Sequence, residues 1–138
     1  MAKNWRDRVV GLEYRKPGEI ADHPYQWRTH PREQAAALRG VLDEVGIAGA
    51  LLVYRSGGEL VAIDGHLRKG LDPNVDWPCL VLDVTDEEAA KLLATHDPLA
   101  AMAGADAEAV GKLLAQVETE DGRCGGCWMR WQRGAGLI

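Results

Sequence analysis

The sequence predicts an α+β domain in which helices pack against a small mixed β-sheet of about four strands. Short segments that alternate apolar and polar residues are separated by glycine and proline turns, which is typical of strands. Longer segments space their apolar residues three and four apart, which is the period of an amphipathic helix. The chain has 138 residues, 46% of them hydrophobic and 27% charged, so one domain can bury a core.

The first half of the chain is predicted to form a strand, a loop, a helix and a β-hairpin, in that order. The strand ends at Lys16-Pro17-Gly18, and two prolines make the following segment an ordered loop rather than a regular element. Pro31 opens the helix, whose apolar residues share one face, and Gly46 ends it. Ser56-Gly57-Gly58 is a tight turn between two alternating strands. The predicted bounds are residues 9–15 for the strand, 21–31 for the loop, 31–45 for the helix, and 50–55 and 59–63 for the hairpin.

The second half is predicted to add a short helix, a fourth strand and two further helices. The short helix ends before Asp72-Pro73-Asn74. Thr85 and Glu88 are spaced for a capping box at the start of the next helix, and His96-Asp97-Pro98-Leu99 breaks the pattern of that helix. Asp106 is placed as the N-cap of the last helix. The predicted bounds are residues 66–71 for the short helix, 79–84 for the strand, and 86–95 and 107–117 for the two later helices.

The chain divides into a predicted folded domain, residues 1–120, and a tail, residues 121–138, rich in glycine, arginine and tryptophan. The tail has no clear period, so a disordered segment and an interaction arm both remain open. Its tryptophans, flanked by arginines, favour a surface for a partner, a second copy of the chain included. Cys124 and Cys127 form a single CxxC, which supplies too few ligands for a zinc site within one chain. Cys79 lies in an apolar run and is predicted to be a core residue.

The charge balance argues against a domain that binds duplex DNA tightly. The formal net charge is −5, whereas nucleic-acid-binding domains usually carry a basic excess. Local groups of basic residues favour a small basic cleft, which suits a nucleotide better than a duplex. Any DNA contact is expected to be weak and to come from the tail. No segment reaches the roughly 18 apolar residues of a membrane span, and no signal-peptide pattern is present, so we expect a cytoplasmic protein without membrane contact.

The main candidate for a ligand site lies within residues 59–71, where an alternating strand leads into Asp64-Gly65-His66 and a basic helical turn. Glycine lets the backbone approach a ligand closely, and the first free amides of a helix point toward an anion. The guanidinium of Arg68 suits bidentate binding of phosphate or carboxylate. Lys69 is interpreted as a solvated charge. The pattern therefore predicts a phosphate or carboxylate site.

Two motifs in this order resemble the ParB/sulfiredoxin superfamily. Asp64-Gly65-His66-Leu67-Arg68 is similar to the DGHRR-type element that follows a strand in that superfamily. Upstream, Asp22-His23-Pro24-Tyr25-Gln26-Trp27-Arg28 is similar to the partition-protein box Asn-Pro-x-Gln-x-Arg, with His23 in place of the asparagine. The similarity runs from about Val9 to about Val117 and looks most like the ParB-like nuclease domains of phage and mobile elements. It implies the superfamily's α+β fold and a nucleotide-binding domain of a DNA-transaction system.

The resemblance also implies which residues would bind a nucleoside di- or triphosphate accompanied by Mg²⁺. The residues on the turn would hold the phosphates, and the upstream box would approach them from a facing loop. The implied ligand-binding residues are Gln26, Arg28, Asp64, Gly65, His66 and Arg68. His66 occupies the position of sulfiredoxin's catalytic cysteine, and without that thiol the chain is not a sulfiredoxin.

Two alternatives to a nucleotide-binding domain remain open. A phosphoryl-transfer or hydrolysing enzyme, such as a weak nuclease, an NTPase or a small-substrate kinase, would use His66, which can move a proton near neutral pH, and Glu33 as a conditional base. Asp97 would hold a hydrated Mg²⁺, although the Glu-Asn-x-x-Arg motif of partition proteins is altered around it. The other alternative is a non-catalytic protein-interaction module. The sequence sets neither the identity of the nucleotide nor whether turnover occurs.

Overall fold

The computed structural model describes residues 4–117, which belong to two compact units. The first unit holds the described residues up to Arg28 together with Gly49–His96, and the second holds Thr29–Ala48 and the described residues from Asp97 onward. The predicted tail and its cysteine pair lie outside the described residues. Within the described part of the chain, no helix is long and apolar enough to cross a membrane.

The first unit contains a five-stranded mixed sheet. Its strands are β1 (Val9–Arg15), β2 (Ile20–Ala21), β3 (Leu51–Ser56), β4 (Glu59–Asp64) and β5 (Trp77–Leu82). The strand order is β1-β5-β3-β4-β2. Two pairs are antiparallel, β1 with β5 and β3 with β4. The other two pairs are parallel, β3 with β5 and β2 with β4. The predicted α+β fold with a mixed sheet is confirmed. The additional strand, β2, has only two residues, which are too few to show an alternating pattern.

Four α-helices and a short 3-10 helix (Pro17–Glu19) complete the described structure. The α-helices are α1 (Arg32–Glu44), α2 (His66–Lys69), α3 (Asp86–Ala101) and α4 (Ala107–Leu114). The predicted capping box of α3 is confirmed, because the Thr85 N–H donates to Glu88 Oε1 at 3.0 Å and the Glu88 N–H donates to Thr85 Oγ1 at 3.1 Å. The Asp106 carboxylate caps α4 by accepting from the Ala109 N–H at 3.1 Å.

The prediction that α3 ends near Thr95 was wrong, because this helix continues through Pro98 to Ala101. A proline removes its own backbone donor and crowds the carbonyl four residues before it, but the residues on either side of it can remain helical. Helical bonding resumes after it, since the Met102 N–H donates to the Pro98 carbonyl at 3.2 Å. Asp97, predicted to lie at a break in the helix, is therefore a helical residue.

The first unit buries apolar side chains on both faces of its sheet. Leu51, Val53 and Cys79 have no exposed surface, and they lie on one face together with Trp77. On the other face, Tyr54, Val61 and Ile63 pack in one cluster with Ala89 and Leu93 of α3. Cys79, predicted to be a core residue, is buried as expected, and Trp77 is buried as well.

The strand β1 lies at an edge of the sheet and exposes apolar side chains. Val10, Leu12 and Tyr14 are 64%, 56% and 65% exposed. The register of β1 against β5 shifts between Val9 and Gly11, which places a β-bulge near the start of this edge strand.

Candidate functional site

The candidate site begins at Gly65, the residue between β4 and α2. Its backbone has φ +105° and ψ 17°, in the left-handed region that side chains other than glycine rarely adopt. A Cβ atom at this position would also overlap Cδ2 of the fully buried Leu51. Glycine is therefore required at position 65 both by the backbone conformation and by the packing.

Arg68 extends from α2 back across this turn. Its Nη2 donates to Asp64 Oδ2 at 3.5 Å and to the Ala50 carbonyl at 3.4 Å, and its side chain is 22% exposed. Both distances are longer than the roughly 2.7–2.9 Å of a well-formed charged hydrogen bond, so the guanidinium is weakly held. The Asp64 carboxylate also lies 3.6 Å from Nε2 of His96 in α3. A weakly held, partly exposed guanidinium beside the Gly65 turn is suited to an incoming anion.

His66, the first residue of α2, is engaged with the upstream loop. Its Nε2 accepts a hydrogen bond from the His23 backbone N–H at 3.2 Å. An acceptor at Nε2 requires that the neutral ring carry its proton on Nδ1. Burial lowers the pKa of His66 below its ordinary value, which favours this neutral form. The acid–base role of His66 stays a prediction. In the structure, its Nε2 is occupied by the hydrogen bond from the His23 backbone N–H.

A second contact joins the same loop to α2. Nζ of Lys69 lies 3.0 Å from Asp22 Oδ1, and the Lys69 side chain is only 15% exposed. The interpretation of Lys69 as a solvated charge was wrong, because its alkyl chain is buried while its ammonium group pairs with Asp22. With the His23–His66 bond, this ion pair brings the two sequence motifs together.

Within the loop, His23 is the buried member. It is 5% exposed, and its Nδ1 accepts the Tyr25 N–H at 3.0 Å. In the sequence, His23 stands out only as a replacement for asparagine, and its contact with His66 was not predicted. A histidine followed by Pro24 in a short loop was the available signal, but it did not indicate the partner.

Of the predicted ligand-binding residues of the loop, Gln26 is partly buried and Arg28 is exposed. Nε2 of Gln26 donates to the Arg28 carbonyl at 2.8 Å, and the Arg28 guanidinium lies 5.5 Å from the centre of the Trp27 ring. Nε1 of Trp27 donates to the Leu93 carbonyl at 3.2 Å, which anchors the loop to α3. The amide of Gln26 thus stabilises the loop itself, while the ligand role of both residues stays a prediction.

Glu33 and Asp97 belong to the second unit. Glu33 lies in the first turn of α1, as predicted, and is exposed, whereas Asp97 is partly buried within α3. A carboxylate in the first turn is favoured by the helix dipole without any catalytic role. Their predicted roles as base and as magnesium ligand stay predictions.

The mixed five-stranded sheet and its helices define an α+β domain. A solved structure similar to this chain is the C-terminally truncated chromosome-partitioning protein ParB from Caulobacter crescentus, complexed with CTP-gamma-S. The two chains share 22% sequence identity with a TM-score of 0.58, and the match covers 78% of this chain but only 64% of that ParB chain. The comparison thus confirms the fold that the motifs predicted. No protein-family model matches the sequence, and no curated protein sequence matches it either.

Proposed function

We propose that this chain is a nucleotide-binding domain of a partitioning-type DNA-transaction system, and that the ligand's phosphates bind at the turn from Asp64 to Arg68. The observation that carries this proposal is the turn itself. Gly65 adopts the left-handed conformation that turns β4 into α2, and the partly exposed guanidinium of Arg68 lies beside it with only long hydrogen bonds. The fold likeness supports the class of ligand, because the similar ParB structure contains a CTP analogue.

The residues around the turn have distinct proposed roles. Arg68 would donate to phosphate oxygens, where a charge-assisted bond is shorter and stronger than its present contact with Asp64. Gln26 and Arg28 would contact the ligand from the loop that His66 and Lys69 fasten to α2. A Mg²⁺ ion would accompany the phosphates.

The enzymatic alternative is less favoured by the geometry of the described residues. A general acid or base must reach the proton that it transfers. Nε2 of His66 instead accepts a backbone N–H, which leaves only its Nδ1 side for a ligand. The proposed function therefore rests on binding and not on turnover.

Calorimetric titration of the full chain with CTP, CDP, ATP and GTP, each with Mg²⁺, tests the proposal. We expect saturable binding of at least one nucleotide, with release of inorganic phosphate measured in parallel. Binding without phosphate release supports a nucleotide-binding domain, whereas steady release favours the NTPase alternative. The absence of binding to any nucleotide by a chain with a cooperative melting transition would contradict the proposal and favour a protein-interaction module.

A further inference from the structure

Two side chains of α2 fasten the loop of residues 22–28, which we call the box loop. Nε2 of His66 accepts the His23 N–H at 3.2 Å, and Nζ of Lys69 pairs with Asp22 Oδ1 at 3.0 Å. These contacts differ in one respect. The lysine contact is an ion pair, whereas the histidine can accept the His23 N–H only while Nε2 carries no proton.

We propose that His66 is a positioning residue: its neutral ring holds the box loop against α2, and protonation of Nε2 releases the loop and weakens ligand binding. The link to ligand binding rests on the proposed function, because Gln26 and Arg28 lie on the box loop. Once protonated, Nε2 becomes a donor that faces another donor, the His23 N–H. The hydrogen bond is then lost and two donors repel each other, so the loop loses one of its two attachments to α2, while Trp27 still donates to the Leu93 carbonyl of α3.

The charges around His66 determine the direction of the pH effect. Burial of the ring is the largest influence and lowers its pKa, and the neighbouring Lys69 and His23 act in the same direction. Asp22 and Asp64 act in the opposite direction, but the net pKa stays below its ordinary value. Because the folded-state pKa is lowered, the stabilisation of the loop is fully present above the ordinary pKa of histidine. It is lost as the pH falls through the lowered pKa.

Amide exchange at His23 tests this positioning role without any ligand. The protection factor of the His23 amide, corrected for intrinsic exchange, is measured by NMR in the full chain between roughly pH 7.5 and pH 5. We expect protection to fall about fivefold, the effect of losing one hydrogen bond, with a midpoint that coincides with the titration of the His66 ring nitrogens. Constant protection of the His23 amide while the His66 ring titrates would overturn the proposal.

Substitution of His66 distinguishes its role from other effects of low pH on the protein. In His66→Gln, an amide oxygen can accept the His23 N–H at every pH, so we expect protection that no longer depends on pH. His66→Ala should lose protection across the whole range. His30→Gln is the matched control, since this histidine contacts Gln34 at 3.0 Å and should leave the pH dependence intact. A pH dependence that persists in a folded His66→Gln variant would contradict the proposal.

Nucleotide affinity tests the link between the box loop and the ligand, separately from amide exchange at His23. If a nucleotide binds, its affinity is measured at both ends of the pH range for the unsubstituted chain and for His66→Gln. The His66→Gln variant reports the effect of titrating the ligand phosphates alone. Acidification should weaken the affinity of the unsubstituted chain about fivefold more than that of the variant. Equal weakening in both chains would refute the link between the box loop and the ligand. If no nucleotide binds, the proposed function fails, while the His23 amide still decides whether His66 positions the loop.

Discussion

Gly65→Ala should destabilise the protein through two separable effects. The alanine would have to adopt φ +105°, and a left-handed conformation costs a residue other than glycine about 1–2 kcal/mol. Its Cβ would overlap Cδ2 of Leu51, a side chain with no exposed surface, and overpacking of a core costs about 1–3 kcal/mol. The expected loss in the free energy of unfolding is therefore about 2–5 kcal/mol.

Urea denaturation of four chains resolves these two effects. Leu51→Ala alone should cost about 2–5 kcal/mol by leaving a cavity. In the Gly65→Ala background it should cost about 1–3 kcal/mol less, because truncation of Leu51 makes room for the new methyl group. Gly58→Ala is the matched control for conformation, since Gly58 has φ +86° with no atom within 4 Å of a Cβ. Additivity of the double variant to within about 0.5 kcal/mol would refute the steric part of the argument.

Three further predictions concern the site and its support. Arg68→Ala should weaken nucleotide binding by about 1.5–3 kcal/mol in calorimetry and leave the melting curve unchanged. The control Lys91→Ala removes an exposed charge on α3 and should have little effect on binding. Equal effects of the two substitutions would contradict a site at Arg68. The hydrogen bond from Arg8 lowers the pKa of Glu88 from 4.5 to about 2. The free energy of unfolding should therefore fall as the pH drops through this range, and it should fall less in Glu88→Gln. The same dependence of the unfolding free energy on pH in both chains would refute this reasoning. Tyr54→Phe should cost about 0.5–1.5 kcal/mol in urea denaturation by removing the 3.0 Å bond to Asp86, and no loss would show that this bond is not stabilising.

Most of the fold could be predicted from the sequence because its elements repeat a local pattern. Buried and partly buried residues alternate over the six residues of β5, Ser56-Gly57-Gly58 marks the turn between β3 and β4, and the capping box of α3 has a fixed spacing. The two-residue strand β2 has no such pattern and depends on its pairing with β4. The end of α3 was predicted wrongly because a proline is compatible with a helix when the other backbone bonds are made.

The sequence motifs identified the residues of the candidate site, but they did not predict which residues these side chains contact. The pairing of Lys69 with Asp22 and of His66 with His23 joins residues more than forty positions apart, and no local spacing encodes such contacts. Whether a lysine is solvated or partly buried depends on which loop returns to cover its helix. The sequence therefore indicated which side chains lie at the turn, and the tertiary structure supplied their partners.

The bulge in β1 has a consequence for the behaviour of the protein at high concentration. A regular edge strand with exposed apolar residues is a template on which another chain can add a strand and start aggregation. Val10, Leu12 and Tyr14 provide such an apolar surface, but the register shift between Val9 and Gly11 interrupts the ladder that an incoming strand would need. Deletion of Val10 would restore a continuous edge, so the same residue that adds apolar surface also limits self-association.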